Sequence, residues 1–190
     1  MSISRCLCNA DMNCDMTVPC GDGLLNLRVG AILLRDGKFL MAENDRDDYL
    51  YTVGGRIQFG ETAEQAVVRE VEEETGWRLQ VDRLGFIQEN YYYSDVPPYC
   101  GTPVYELDFY FYMDVPPDFQ PLAGSHTSDG LRERMVWVDF DDPRRMYPEF
   151  FREALRHPVQ GVRHYVSDER GAGDEGIAPA PLIGFGMLRH

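Results

Sequence analysis

The stretch Gly54–Trp77, GGRIQFGETAEQAVVREVEEETGW, limits the architecture more than any other part of the chain. Gly54 and Gly55 permit a tight bend. Thr62 and Gln65 have capping-box spacing and Gly76 sits at a left-handed C-cap position, so the spacing predicts a helix over Thr62–Thr75. Strand-like runs surround it. Leu24–Arg35 and Lys38–Glu43 flank the hairpin signal Asp36-Gly37, and Val104–Val115 and Glu133–Asp139 follow later. A helix set among such strands has to lie against a sheet. The chain is therefore expected to be α/β, with a mixed β-sheet packed between helices.

The remaining segments read more simply. Asp15–Pro19, Tyr49–Val53 and Arg78–Asn90 are strands, and Gly161–Ser167 a short one. Tyr91–Pro103 and Pro116–Leu131 are loops, and Tyr147–His157 has helical spacing. Residues 1–13 form a leader, 14–168 one domain, and 169–190 a Gly/Pro-rich tail.

The helix carries an unusual charge pattern. At about 100° per residue, Glu70, Glu73 and Glu74 fall on one side, with Glu72 turned away at about 200°. Ala63, Ala66, Val67 and Val71 lie toward the same side, so the three carboxylates are expected on or beside the packed face. Like charges so placed repel, and burial worsens that. Either their pKa values rise or a divalent cation neutralises them, and hard oxygen ligands suit Mg2+ or Mn2+. Arg69, one turn before Glu73, is placed to orient it. The competing reading is a solvated acidic helix, the usual fate of glutamate-rich segments.

Charge and composition exclude other classes. With 32 acidic and 18 basic residues the formal net charge is -14, which disfavours a nucleic acid duplex as partner. No apolar run reaches the ~20 residues of a membrane span. Residues 1–16 lack the apolar core of a secretory signal, so a cytoplasmic protein is expected. The five cysteines (Cys6, Cys8, Cys14, Cys20 and Cys100) lack the paired C-x2-C spacing of structural zinc sites and read as unliganded thiols.

Gly55, Glu61, Arg69, Glu70, Val71, Glu73, Glu74 and Gly76 together resemble the Nudix box of MutT-like Nudix hydrolases. Trp77 departs from it by placing an aromatic where an aliphatic is usual. The resemblance covers about residues 15–168 and implies an α/β/α sandwich around a mixed sheet. It also implies hydrolysis of a nucleoside diphosphate linked to another group, by water attack on phosphorus in a pyrophosphate bridge. Carried over by position, Glu70, Glu73 and Glu74 become ligands of Mg2+ or Mn2+, with the Gly54 carbonyl a further ligand. Arg69 and Glu61 hold the glutamates in place. One of the box glutamates or an outside acid is the base: Glu133 is the first choice, Glu106 and Glu89 lesser ones. Arg28, Arg56 and Arg46 are expected phosphate contacts. Tyr92 and Tyr93, beside Tyr91, are expected at the substrate, since a tyrosine at this distance marks some dinucleoside polyphosphate hydrolases of the family. Pro97 and Pro98 fall slightly late for the proline of ADP-ribose enzymes. A homodimer is a family expectation. The alternative activity is a nucleotide-sensing Nudix-fold module with little or no hydrolysis.

Overall fold

The computed structural model describes residues 14–170 apart from 96, 123 and 127–131. The leader, Cys6, Cys8 and nearly all of the expected tail lie outside the described residues. In chain order the elements are β1 (Thr17–Cys20), β2 (Gly23–Ile32), β3 (Leu34–Arg35), β4 (Lys38–Asn44), β5 (Tyr49–Tyr51) and β6 (Gly54–Arg56). Then come α1 (Ala63–Thr75), β7 (Gln80–Tyr93), β8 (Pro103–Asp114), β9 (Ser125–His126), β10 (Arg132–Asp139), β11 (Arg145–Tyr147), α2 (Phe151–Ala154) and β12 (Arg163–Asp168).

Hydrogen bonding divides the described strands into two mixed sheets. The first runs β1-β2-β8-β7-β12 with β6 on β2, and the second β11-β5-β4-β10-β9 with β3 on β4. Parallel ladders join β2 to β8, β7 to β12 and β5 to β11. Mixed sheets with few helices are the expected class.

Two apolar cores explain the aliphatic runs. Ala31 and Leu40 belong to the core beneath α1, formed with Val29, Ala66, Val67, Val71 and Phe111. Their chain neighbours Ile32, Phe39 and Met41 point the other way, into a core with Leu50, Phe86, Met146, Phe151 and Leu155. Successive side chains alternate across a strand, so a strand covered on both faces has to be apolar throughout.

Two expectations are corrected. Tyr91–Tyr93 continue β7 instead of starting a loop, paired from Tyr91↔Tyr105 to Tyr93↔Pro103. The Tyr147–His157 helix shrinks to Phe151–Ala154, because Tyr147 is spent on β11 and pairs with Tyr51.

Candidate active site

α1 is fixed at both ends. Thr62 Oγ1 accepts from the Gln65 N–H at 3.2 Å, Gln65 Oε1 accepts from the Thr62 N–H at 2.8 Å, and Gly76 is left-handed at φ 76°. With Ala66, Val67 and Val71 buried, the helix has one rotational setting, and that setting aims its glutamates at β6.

β6 lies antiparallel on β2, with Gly54 opposite Gly30 and Arg56 opposite Arg28. The Gly54 N–H donates to Glu74 Oε1 at 3.2 Å. Gly55 lies beneath the Glu70 carboxylate: a Cβ there would stand 2.4 Å from Glu70 Oε1. That close approach is why a glycine is needed at this position.

Arg69 ties the acids together. Its guanidinium donates to Glu61 through Nη2 at 2.6 Å and Nε at 3.2 Å, and to the Arg56 carbonyl at 3.1 Å. Its Nη1 reaches Glu70 at 2.8 Å and Glu73 at 3.3 Å. The Glu61 hydrogen bonds hold the Arg69 pKa up. For Glu61, burial works upward, but the bonds from Arg69 and the Gln58 N–H prevail and hold its carboxyl below the usual range.

The three box glutamates are not equivalent. Burial raises Glu70, against the pull of Arg69. Burial raises Glu74 further, and the nearby Glu133 and Glu70 charges add to it. Among the described residues Glu74 Oε2 is buried without a hydrogen-bond partner. Glu73 differs from expectation: its side chain is 59% exposed, at the solvent edge of the face.

Glu133, the second residue of β10, lies opposite Asn44, is buried, and accepts from the Tyr51 hydroxyl at 2.6 Å. It lines the same cavity of about 600 Å3 as Glu70, Glu73, Glu74, Gly54, Arg69, Arg28, Arg46 and Arg56. Glu106 and Glu89 do not reach it. Glu106 lies under Asn26 and Tyr92, and Glu89 is taken up by Tyr105 and His164. Tyr92 and Tyr93 line an adjoining cavity, while Tyr91 turns to stack near Tyr105 at 4.7 Å.

Tyr51, Asn44 and Asp47 also line the first cavity, and sequence reasoning did not select them. Asn44 Oδ1 accepts from the Arg46 and Asp47 N–H groups, an Asx turn that organises the loop; the Asn44–Asp48 polar run carried that signal.

The donor set suits a hard divalent cation. It offers carboxylate and carbonyl oxygens, and the partnerless Glu74 Oε2 lies in a mutually repelling group. Among the described residues no three His, Cys, Asp or Glu side chains are already drawn into a metal-ligating cluster. Arg69 instead holds Glu70 and Glu73.

A family model described as NUDIX domain matches residues 24–158. No curated protein matches the chain. Among solved structures, the chain is similar to a MutT protein from Bacillus halodurans: 18% identity, TM-score 0.51, covering 74% of this chain and 90% of that one. An ADP-ribose pyrophosphatase from Streptococcus suis is 18% identical with TM-score 0.49, over 73% of this chain and 98% of that one. The E. coli ORF135 protein is 23% identical with TM-score 0.44, over 69% and 86%. At such identities the first likeness is one of fold.

Proposed function

The chain belongs to the NUDIX domain family, the family of Nudix pyrophosphohydrolases, and from that premise we propose a metal-dependent hydrolase that cleaves the pyrophosphate linkage of a nucleoside diphosphate derivative. The observation that carries the proposal is the convergence of Glu70, Glu73, Glu74 and Glu133 on one cavity whose other walls carry Arg28, Arg46 and Arg56. Acids alone would repel a polyphosphate; acids that hold a cation, beside guanidiniums, attract one.

Glu70, Glu73, Glu74 and the Gly54 carbonyl would hold Mg2+ or Mn2+. When bound, the cation neutralises phosphate charge and makes water a stronger nucleophile. The chain's own groups do the rest. Arg28 and Arg56, facing each other across the β2–β6 ladder, orient the phosphates. Arg69, gripped by Glu61, sets the Glu70 and Glu73 carboxylates. Glu133 takes the proton of the attacking water on the carboxylate that Tyr51 orients through its hydroxyl.

A panel of nucleoside diphosphate derivatives incubated with Mg2+ and with Mn2+, scored for released monophosphate, tests the activity. Metal-dependent release that Glu74→Gln abolishes is expected. Binding without turnover of any member would replace the enzyme with a nucleotide-sensing module.

A further inference from the structure

Asn44 on β4 and Glu133 on β10 stand directly opposite each other, so their side chains leave one face together. Both are buried, at 8% and 6% exposed. β5 brings Tyr51 to the same face by pairing it with Ala42, two residues before Asn44. The Tyr51 hydroxyl touches both side chains.

The hydrogen bonds of Asn44 run in one direction. Its Oδ1 accepts from the Arg46 N–H at 2.9 Å and the Asp47 N–H at 2.8 Å. A backbone N–H can only donate, so the amide has one orientation and its nitrogen faces the other way. Nδ2 donates to Asp47 Oδ2 at 2.8 Å and to the Tyr51 hydroxyl at 3.3 Å. Asp47 is fit to accept: hydrogen bonds from Arg46, with Asn44 adding to them, hold its carboxyl below the usual range against the effect of burial. An amide nitrogen cannot itself accept. The Tyr51 proton therefore has no acceptor in Asn44 and goes to Glu133 Oε1, at 2.6 Å. Burial and that bond raise the phenol well above its ordinary value, so the proton stays on Tyr51.

The Asx turn alone does not account for an asparagine here. It uses only the side-chain oxygen of residue 44, which aspartate supplies as well. What aspartate lacks is the donor that faces Tyr51. Hydrogen bonds that follow one another in a single direction, backbone to Asn44 to Tyr51 to Glu133, also strengthen one another. All three side chains line the cavity that holds the box glutamates.

We infer that Asn44 is a positioning residue for hydrolysis: by donating to the Tyr51 hydroxyl it commits the Tyr51 proton to Glu133 and so fixes the carboxylate that receives the proton of the attacking water. The inference rests on the reading of the chain as a pyrophosphohydrolase with Glu133 as that acceptor. Asn44 acts through Tyr51 and not on the reacting atoms.

Two readouts on the full chain test this. The first needs no turnover. A hydroxyl proton held 2.6 Å from a buried carboxylate should give a low-field proton resonance, identified as the one that Tyr51→Phe removes. Asn44→Asp keeps the shape and the turn-forming oxygen but replaces the donor with an acceptor, so the Tyr51 proton can turn back to residue 44, and that resonance is expected to shift or vanish. The second readout is a double-mutant cycle on the kcat of pyrophosphate hydrolysis in Mg2+. Asn44→Asp should lower kcat about tenfold more in the wild-type background than in Tyr51→Phe. Losses that come through the loop, or through repulsion from Asp47, recur in both backgrounds and cancel. Where Asn44→Asp does not fold, Asn44→Ala removes the donor without adding a charge and carries the same two expectations. Absence of the resonance from the wild type, a resonance unmoved by the substitution, or losses that simply multiply overturns the inference. A shifted resonance without turnover of any pyrophosphate substrate would sink the hydrolase reading and leave the direction of the proton standing. Turnover with an unmoved resonance would do the reverse.

Discussion

Replacing Gly55 with alanine separates the geometry of the glutamate cluster from the stability of the sheet. Gly55 is not in the left-handed region, so its backbone accepts an L side chain. The new Cβ would stand 2.4 Å from Glu70 Oε1 and 2.5 Å from its Cδ, whereas ordinary contact begins near 3.4 Å. The carboxylate therefore retreats by about 1 Å, and a misplacement of that size costs about 100-fold in rate. The displaced atoms end a flexible side chain, so the fold absorbs them, and Tm should stay within about 3 °C of wild type. Gly54→Ala differs in kind. Gly54 has φ 147°, and its Cβ would meet the Val29 carbonyl at 2.2 Å, backbone that moves only by opening the β2–β6 ladder. Strain of about 1–3 kcal/mol converts to a Tm drop of roughly 2–12 °C. Pyrophosphate hydrolysis in Mg2+ and thermal unfolding, run on both variants, read the two effects apart. Wild-type turnover in Gly55→Ala would refute the need for Glu70 to lie over residue 55. Equal Tm losses in the two variants would refute the separation of side-chain from backbone clash.

Glu74→Gln should lower turnover by at least about 100-fold and abolish the rise in Tm that Mg2+ gives the wild type; an unchanged metal-induced shift in differential scanning fluorimetry would count against Glu74 as a ligand. Arg69→Lys keeps the charge but cannot form the forked contact with Glu61, so a higher Mg2+ requirement and about tenfold lower activity are expected from a metal titration of the rate. Thr62→Ala removes the α1 cap and should cost about 1 kcal/mol, visible in urea unfolding, with kcat unchanged. Burial and the neighbouring Glu106 raise Asp108 well above the carboxylate range, against the pull of Arg28. The folded chain thus keeps this proton to higher pH than the unfolded chain does, and this group's contribution to stability falls as pH climbs from the ordinary carboxylate range toward the raised value. Asp108→Asn should flatten that part of the slope in melts in EDTA from pH 5 to pH 8, and an unaltered slope would contradict the assignment.

The glutamate face of α1 was legible because helical periodicity is local: residues 70, 73 and 74 share a side whatever they pack against. Even there, local geometry assigned the side and not the depth. Glu73 is exposed while Glu74 is half-buried with its Oε2 inside, since depth depends on β6 and β10, which arrive from elsewhere in the chain. The Tyr91–Tyr93 misreading has the same origin. The prolines and glycine after Ser94 signalled a turn correctly, but the β7–β8 pairing carries the strand right up to it, from Gln80 as far as Tyr93↔Pro103.

The polar row of Asn26, Glu106 and Asp108 shows where a single sequence misleads most. Alternating strands such as VYELDFYFYMD look half-solvated, with Glu106 and Asp108 on the wet side. The parallel pairing with β2 reverses that reading by setting Asn26 and Arg28 beside them, and both carboxyls are buried. Buried polar groups of this kind are costly to the fold, and only some are repaid by internal hydrogen bonds. Among the described residues the Asn26 amide oxygen is buried without a partner, while Glu106, its register partner, is paired with the Asn26 amide nitrogen and the Tyr92 hydroxyl. A sheet face can therefore be polar because it is wet or because its groups pair with one another under cover. Burial separates the two readings, and burial is a property of contacts distant in sequence.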